Sequence, residues 1–315
     1  MSDGAKQRTG LTPGRVSAHD SAALGWPAIA GFIAGEARLG ARFQAAGPLY
    51  TAAYEFLRFG IKQGWACLFG GLLLGLLIVT RLTWPAHCPV ARYDALFVAA
   101  LTIQALLLFL RMETWGEARV ILVFHVVGTI MEIHKTAIGS WVYPESSLLR
   151  IGGVPLFTGF MYAAVGSYIA RVWRLFDFRF SRHPGLGAIT ALSVGIYLNF
   201  LTNHLGYDLR GELIVVAIVL FGPATVHFKV WHRHRAMPLL LGLGLVTFFI
   251  WIAENIGTLT GAWLYPNQIA RWAAVSTGKL SSWFLLMIVS YTLVARAHGV
   301  ARWEAEEPAS GALRA

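Results

Sequence analysis

The sequence predicts an all-α fold, a polytopic membrane helical bundle of about eight transmembrane helices in two parallel four-helix halves. Three observations predict it. Hydrophobic residues make up 56% of the 315 and charged residues only 13%, where soluble domains carry about 25% charged. The mean hydropathy is +0.58, which calls for lipid as solvent. Finally, Glu132–Pro144 and Glu254–Pro266 share one pattern, E-x3-T-x2-G-[SA]-W-[VL]-Y-P, and each runs straight out of an apolar stretch.

The elements follow in order. Residues 1–48 read as a disordered tail with an interfacial patch. Tyr50, Tyr54, Leu57 and Ile61 then share one helical face, with Glu55, Arg58 and Lys62 elsewhere. This pattern predicts an N-terminal amphipathic helix lying in the membrane interface, or a helical lead-in to the first span. Residues 49–297 form the transmembrane domain. Its apolar runs lie roughly at 64–82, 94–110, 119–138, 154–172, 187–205, 212–230, 237–256 and 279–295, each long enough for a hydrocarbon core of about 30 Å. Residues 298–315 form a cytoplasmic tail.

The basic residues set the orientation. With a cytoplasmic N-terminus, 19 of the 26 Lys and Arg fall on inside segments and 6 outside, leaving Lys135 within a span. Both termini are therefore expected in the cytoplasm, with the chain in the inner membrane. The two repeat copies are 122 residues and four spans apart. They emerge on the same outer face, as parallel halves would place them. Their Trp and Tyr suit an interfacial belt. The net charge of +10 is scattered between apolar runs, which argues against a nucleic-acid partner and for membrane lipids.

Cys67 and Cys88 have no metal-ligand or disulfide spacing, and Cys67 reads as a small hydrophobe. The ten histidines lack zinc-site spacing, so no metal and no cofactor is expected. His232-Arg233-His234 reads as a solvated loop. Glu113 and Glu117 read as a solvated, salt-bridged turn between Arg111 and Arg119.

Polar groups converge on the outer side. His125 and Glu132 lie two turns apart on one helix. Glu254 and Asn255 end another span. Asn199, Asn203, His204 and Asp208 close a third, and Tyr93 and Asp94 open a fourth. Low-dielectric surroundings favour a neutral carboxylic acid, which can donate a proton that a nearby base returns. The candidate catalytic residues are thus Glu132 and Glu254, with His125 or His204 as partner. Trp141, Tyr143, Asn199, Asn203, Asn255, Trp263, Tyr265, Asp94 and Asp208 are candidates for substrate binding. Equally, each Glu can bond the Trp or Tyr of its own repeat and simply hold the helix exit in shape.

From Tyr54 to Ala295 the chain resembles an uncharacterised bacterial integral membrane family, domain of unknown function 817. The likeness is carried by Glu113–Ala118, Gly128–Ile133, Gly139–Glu145, Gly153–Tyr162, Tyr197–Phe200, Phe249–Ile256, Gly261–Gln268 and Gly278–Phe284. The resemblance implies a multi-pass membrane protein and brings no activity. Locally, Glu132, Gly139, Tyr143 and Gly153-Val154-Pro155-Leu156 are similar in order to a motif of membrane carotenoid hydratases. That likeness implies protonation of an alkene by a membrane carboxylic acid. Trp141 and the second copy at Glu254 depart from it.

Three functions are compatible with these residues. One is an enzyme working on a lipid or isoprenoid by Glu acid/base chemistry, with Phe157, Phe160, Met161, Tyr162, Trp251 and Trp283 as pocket wall. The others are a small-solute transporter or channel with its site between the halves, and a non-catalytic scaffold. Oligomeric state is left open.

Overall fold

The computed structural model describes Gly35, residues 38–85 and residues 87–304. Most of the expected disordered tail and the end of the C-terminal tail lie outside these. Residues 38–45, assigned to that tail, are helical, and Phe43 stacks on Tyr54 with ring centroids 5.3 Å apart. The helices that follow are α1 (Pro48–Ala66), α2 (Leu68–Thr83), α3 (Arg92–Phe109), α4 (Trp115–Ala137), α5 (Thr158–Leu175), α6 (Leu186–Thr202), α7 (Arg210–Phe221), α8 (Leu239–Leu259) and α9 (Lys279–His298).

A helix stands in each of the eight apolar runs. Five of them, α3, α4, α6, α8 and α9, are long and apolar enough to cross a membrane. The bent pair α1 and α2 makes a sixth if counted as one span.

The expectation for 212–230 is corrected. Helix α7 stops at Phe221 and, with 12 residues, is about 18 Å long. Gly222 and Pro223 end it, because proline's ring clashes with the preceding turn. The chain continues as β4 (Thr225–Lys229), between β3 (Arg179–Ser181) and β5 (His234–Pro238) in an antiparallel sheet. A second hairpin pairs β1 (Arg150–Ile151) with β2 (Val154–Pro155). The fold is therefore mostly helical rather than purely so.

The connections between these helices gather at two ends. At one end, here the repeat face, the start of α3 is tied to both repeat turns. Arg92 pairs with Glu145 at 2.6 Å and donates to Thr260 O, while Asp94 accepts the Leu148 and Leu149 N–H groups at 2.9 Å. At the other, the hairpin face, Lys62 Nζ donates to the carbonyls of Leu175 and Lys229, and β3 bonds the chain after α9 through Phe180.

The core lies between α2, α4, α5 and α9, around Phe69, Phe124, Phe160, Ile288 and Tyr291. Helices α4 and α5 approach closely. A methyl group added at Gly128, Gly159 or Gly166 would run into Tyr162, His125 or Phe124.

Below the core Glu113 and Glu117 are buried, not solvated. Glu113 pairs with fully buried Arg171 at 3.1 Å and accepts from Ser167 and Gln104. Glu117 closes a capping box with Thr114 and pairs with Arg174 at 3.1 Å. Their partners stand on α5, far along the sequence. Cys67 sits exposed at the α1–α2 bend rather than inside an apolar helix.

Candidate functional site

Both repeats build the same turn. Helix α4 ends with Gly139 in the left-handed region (φ 73°), and α8 ends with Gly261 likewise (φ 67°). Ser140 N–H reaches back to Lys135 O at 2.9 Å, and Ala262 N–H to Gly257 O at 3.1 Å. Glycine at that position lets the last carbonyls of each helix find donors as the chain reverses. The two extended W-[VL]-Y segments then meet side by side. Val142 and Leu264 exchange both backbone hydrogen bonds, each 2.9 Å, in an isolated antiparallel bridge. This pairing is what brings the two helix ends together.

Each reversal aims its aromatics inward, so the expected interfacial belt is not what these residues form. Trp141, Tyr143 and Tyr265 are buried, and they serve the glutamates. Glu132 accepts from Trp141 Nε1 at 2.7 Å, from Tyr143 Oη, and from Tyr162 Oη of α5 at 2.5 Å. Glu254 accepts from Tyr265 Oη and from Trp283 Nε1 of α9 at 2.5 Å. Burial first, and the adjacent carboxylate second, hold the phenols of Tyr143 and Tyr265 above their ordinary range, so they act as donors. The carboxyls of Glu132 and Glu254 are near enough to interact electrostatically.

Both glutamates open onto one cavity of about 770 Å³. Trp141, Tyr143, Tyr162, Trp263, Tyr265 and Trp283 surround its polar end. From there it descends between α2, α5, α8 and α9, past Leu74, Met161 and Ile250, to Phe176, Phe228 and Met237 at the hairpin face. Along α5, from Met161 to Phe176, this is about 22 Å. Ligand cavities usually hold about 300–1,000 Å³ and are mostly apolar with a few convergent polar groups.

Other expected site residues stand elsewhere. His125 packs on Phe160 at 4.6 Å, and His204 lies against His134 at 5.2 Å. The carboxyl partners are Tyr and Trp side chains instead of these histidines. Tyr93 donates to Ala262 O, and Asp94 holds the β1 loop. Asn199 accepts Leu209 N–H and Asn255 accepts Val275 N–H, both at 2.9 Å. Asn203 accepts from Lys135 Nζ at 2.8 Å. Asp208 pairs with Arg210 at 2.5 Å, and that guanidinium holds its carboxyl below the usual range. Of the proposed wall, Met161, Tyr162 and Trp283 line the cavity, while Phe160 packs in the core.

Sequence reasoning missed Tyr162 and Trp283 as carboxyl donors and Lys279 and Ser282 as cavity residues. The available signal was positional. Tyr162 lies 30 residues after Glu132, and Trp283 lies 29 after Glu254.

Comparison with known proteins gives the following. An uncharacterised protein, YoaT, of Bacillus subtilis (strain 168) is 41% identical over 244 residues, covering 78% of this chain and 92% of that one. The crystal structure of MvINS, a mycobacterial Insig homolog from Mycobacterium vanbaalenii, aligns with 59% of this chain and 97% of its own at TM-score 0.44 and 12% identity. A cross-linked MvINS trimer aligns equally, at TM-score 0.44, 11% identity and 95% of its own chain. The profile for the protein family of unknown function DUF817 matches residues 55–291, and the chain belongs to that family.

Proposed function

We propose that the chain is an inner-membrane protein of eight crossings in two parallel four-helix halves, with both termini cytoplasmic. In this reading it takes a lipid or isoprenoid into the cavity and transfers a proton to it from the Glu132–Glu254 pair. The carrying observation is the placement of two hydrogen-bonded carboxyls at the polar end of an otherwise apolar cavity. Such a site suits an alkene. A neutral carboxyl gives its proton to one alkene carbon. Water then adds to the neighbouring cation, or the cation sheds a different proton, and the carboxylate recovers the proton released. The first outcome is hydration and the second is isomerisation. The Tyr and Trp donors hold each carboxyl in place.

Lipid extracts from cells expressing the protein, compared by mass spectrometry with those from cells lacking it, test this reading. A product heavier by one water, or an isomer of unchanged mass, is expected, and both Glu132→Gln and Glu254→Gln should remove it. Identical lipids in all four strains would end the proton-transfer reading. Transport of a polar solute fits the cavity less well, because its walls below the glutamates are apolar.

A further inference from the structure

The polar end of the cavity carries a cation that the proton-transfer reading does not use. Lys279, half-buried in the first turn of α9, lines the cavity with Ser282. Its ammonium lies over the ring of Tyr265 at 4.3 Å and faces that of Trp141 at 5.9 Å. Among the described residues it has no hydrogen-bond or salt-bridge acceptor, so its three N–H donors are held by ring faces alone. The neighbouring Glu254 carboxyl already accepts from Tyr265 and Trp283. A partly desolvated ammonium without an oxygen partner is costly, and a ligand that brings one removes that cost.

The surroundings reinforce the positive charge. Arg210 donates to Ser282 Oγ at 3.2 Å while paired with Asp208. Lys135 is 4% exposed, is hydrogen-bonded among the described residues to the neutral amide of Asn203 alone, and lies over Phe200 at 5.0 Å. Phe200 itself lines the cavity. Lys135, Lys279 and Arg210 repel one another, with Asp208 as the counter-charge acting on Lys135 and Glu254 as the one acting on Lys279. A cationic mouth on an apolar cavity matches an amphiphile with a negative head.

We infer that Lys279, seconded by Ser282 and Arg210, binds the oxyanion head group, carboxylate or phosphate, of an amphiphile whose chain fills the cavity. This rests on the cavity as ligand site but not on proton transfer.

Matched pairs test it with the full-length protein in a neutral detergent: oleate against oleyl alcohol, and farnesyl monophosphate against farnesol. Binding is read by quenching of the cavity tryptophans. The anionic member of at least one pair should bind tenfold tighter or more, and the pair with the larger ratio identifies carboxylate or phosphate. Lys279→Met should erase the ratio, and Lys279→Arg, which keeps the charge, should retain it. Equal affinity within both pairs overturns the inference. So does an unchanged ratio in Lys279→Met, loss of the ratio in Lys279→Arg, or inorganic phosphate alone binding as tightly as the phosphorylated chain. Identical lipids with and without the protein, together with the expected ratio in the wild type, would remove proton transfer and leave the head-group site standing.

Discussion

The two glutamate corners start from one sequence pattern and end in different environments. Glu132 is closed in by three donors, two from its own repeat and one from α5. Glu254 has two, because the Trp of its repeat has gone elsewhere. Trp263 lies over Gly257, where an added Cβ would strike its ring, whereas Trp141 turns onto Glu132. The position that Gly257 holds in the second repeat is Lys135 in the first, and no indole can lie flat there. One small residue thus releases one indole from its carboxyl. The first corner is built as an anchor. The second keeps a less crowded acid with a cation, Lys279, beside it.

On that contrast, Glu132→Ala has the largest effect on stability. It strands three donors at about 1–3 kcal/mol each, for a loss of about 3–9 kcal/mol, against about 2–6 for Glu254→Ala. Unfolding of the purified variants in detergent measures both. A Glu254→Ala loss equal to or greater than that of Glu132→Ala would break the proposed division of roles.

Next in size is Gly257→Ala. The new methyl group has to displace the Trp263 indole from a packed site, at about 1–3 kcal/mol. Gly244→Ala, in the same helix but with open space around its Cβ, is the matched control and should be neutral or slightly stabilising. Equal behaviour of the two would mean that Trp263 is free to move and that the corners differ by chance of side-chain placement.

Smaller still are the donors on the neighbouring helices. Tyr162→Phe and Trp283→Phe each remove one hydrogen bond to a glutamate, worth about 1–2 kcal/mol. Trp283→Phe should alter lipid turnover more than Tyr162→Phe, since it loosens the acid with fewer holders. The reverse order in product yield, read by mass spectrometry, would assign the working acid to Glu132.

The legible part of this site was the local part. The left-handed glycine, the two aromatics and the glutamate fall within 12 residues, so one turn's chemistry could be read from one line of sequence. Tyr162 and Trp283 were legible only as aromatics, because their bonds depend on how the next helix packs. Glu113 and Glu117 looked solvated from their flanking arginines, yet their partners are Arg171 and Arg174 on α5. Periodicity failed for 222–230. Val226 and Phe228 continue the apolar run of α7, although Gly222-Pro223 interrupts the helix and the β3 edge offers a partner. The five runs that became long apolar helices, in contrast, were readable from composition alone, since length and hydropathy decide them.

The smallest expected effect separates the repeat face from the hairpin face. His227 on β4 stacks on Trp303 with centroids 4.2 Å apart and planes within 5°, and its Nε2 lies 2.7 Å from Ser181 Oγ. Burial, and then the neighbouring His234, hold its pKa below the ordinary histidine value. A group depressed in this way contributes stability above its unfolded pKa of about 6.5, and that contribution is lost as pH falls through the lower folded value. Protonation also puts a charge against His234, which is itself 3.2 Å from Asp177. Acidification from pH 7 to about 5 should therefore loosen the segment that Phe180 holds through Ala301 and Trp303, while the glutamate corners stay closed. Trp303 emission, isolated by comparison with Trp303→Phe, reports the change. His227→Phe keeps an aromatic stack and removes the titration, so its emission should be flat over the same range. A transition that persists in His227→Phe assigns the pH response to another group, and a flat wild-type profile shows that the stack tolerates the charged ring.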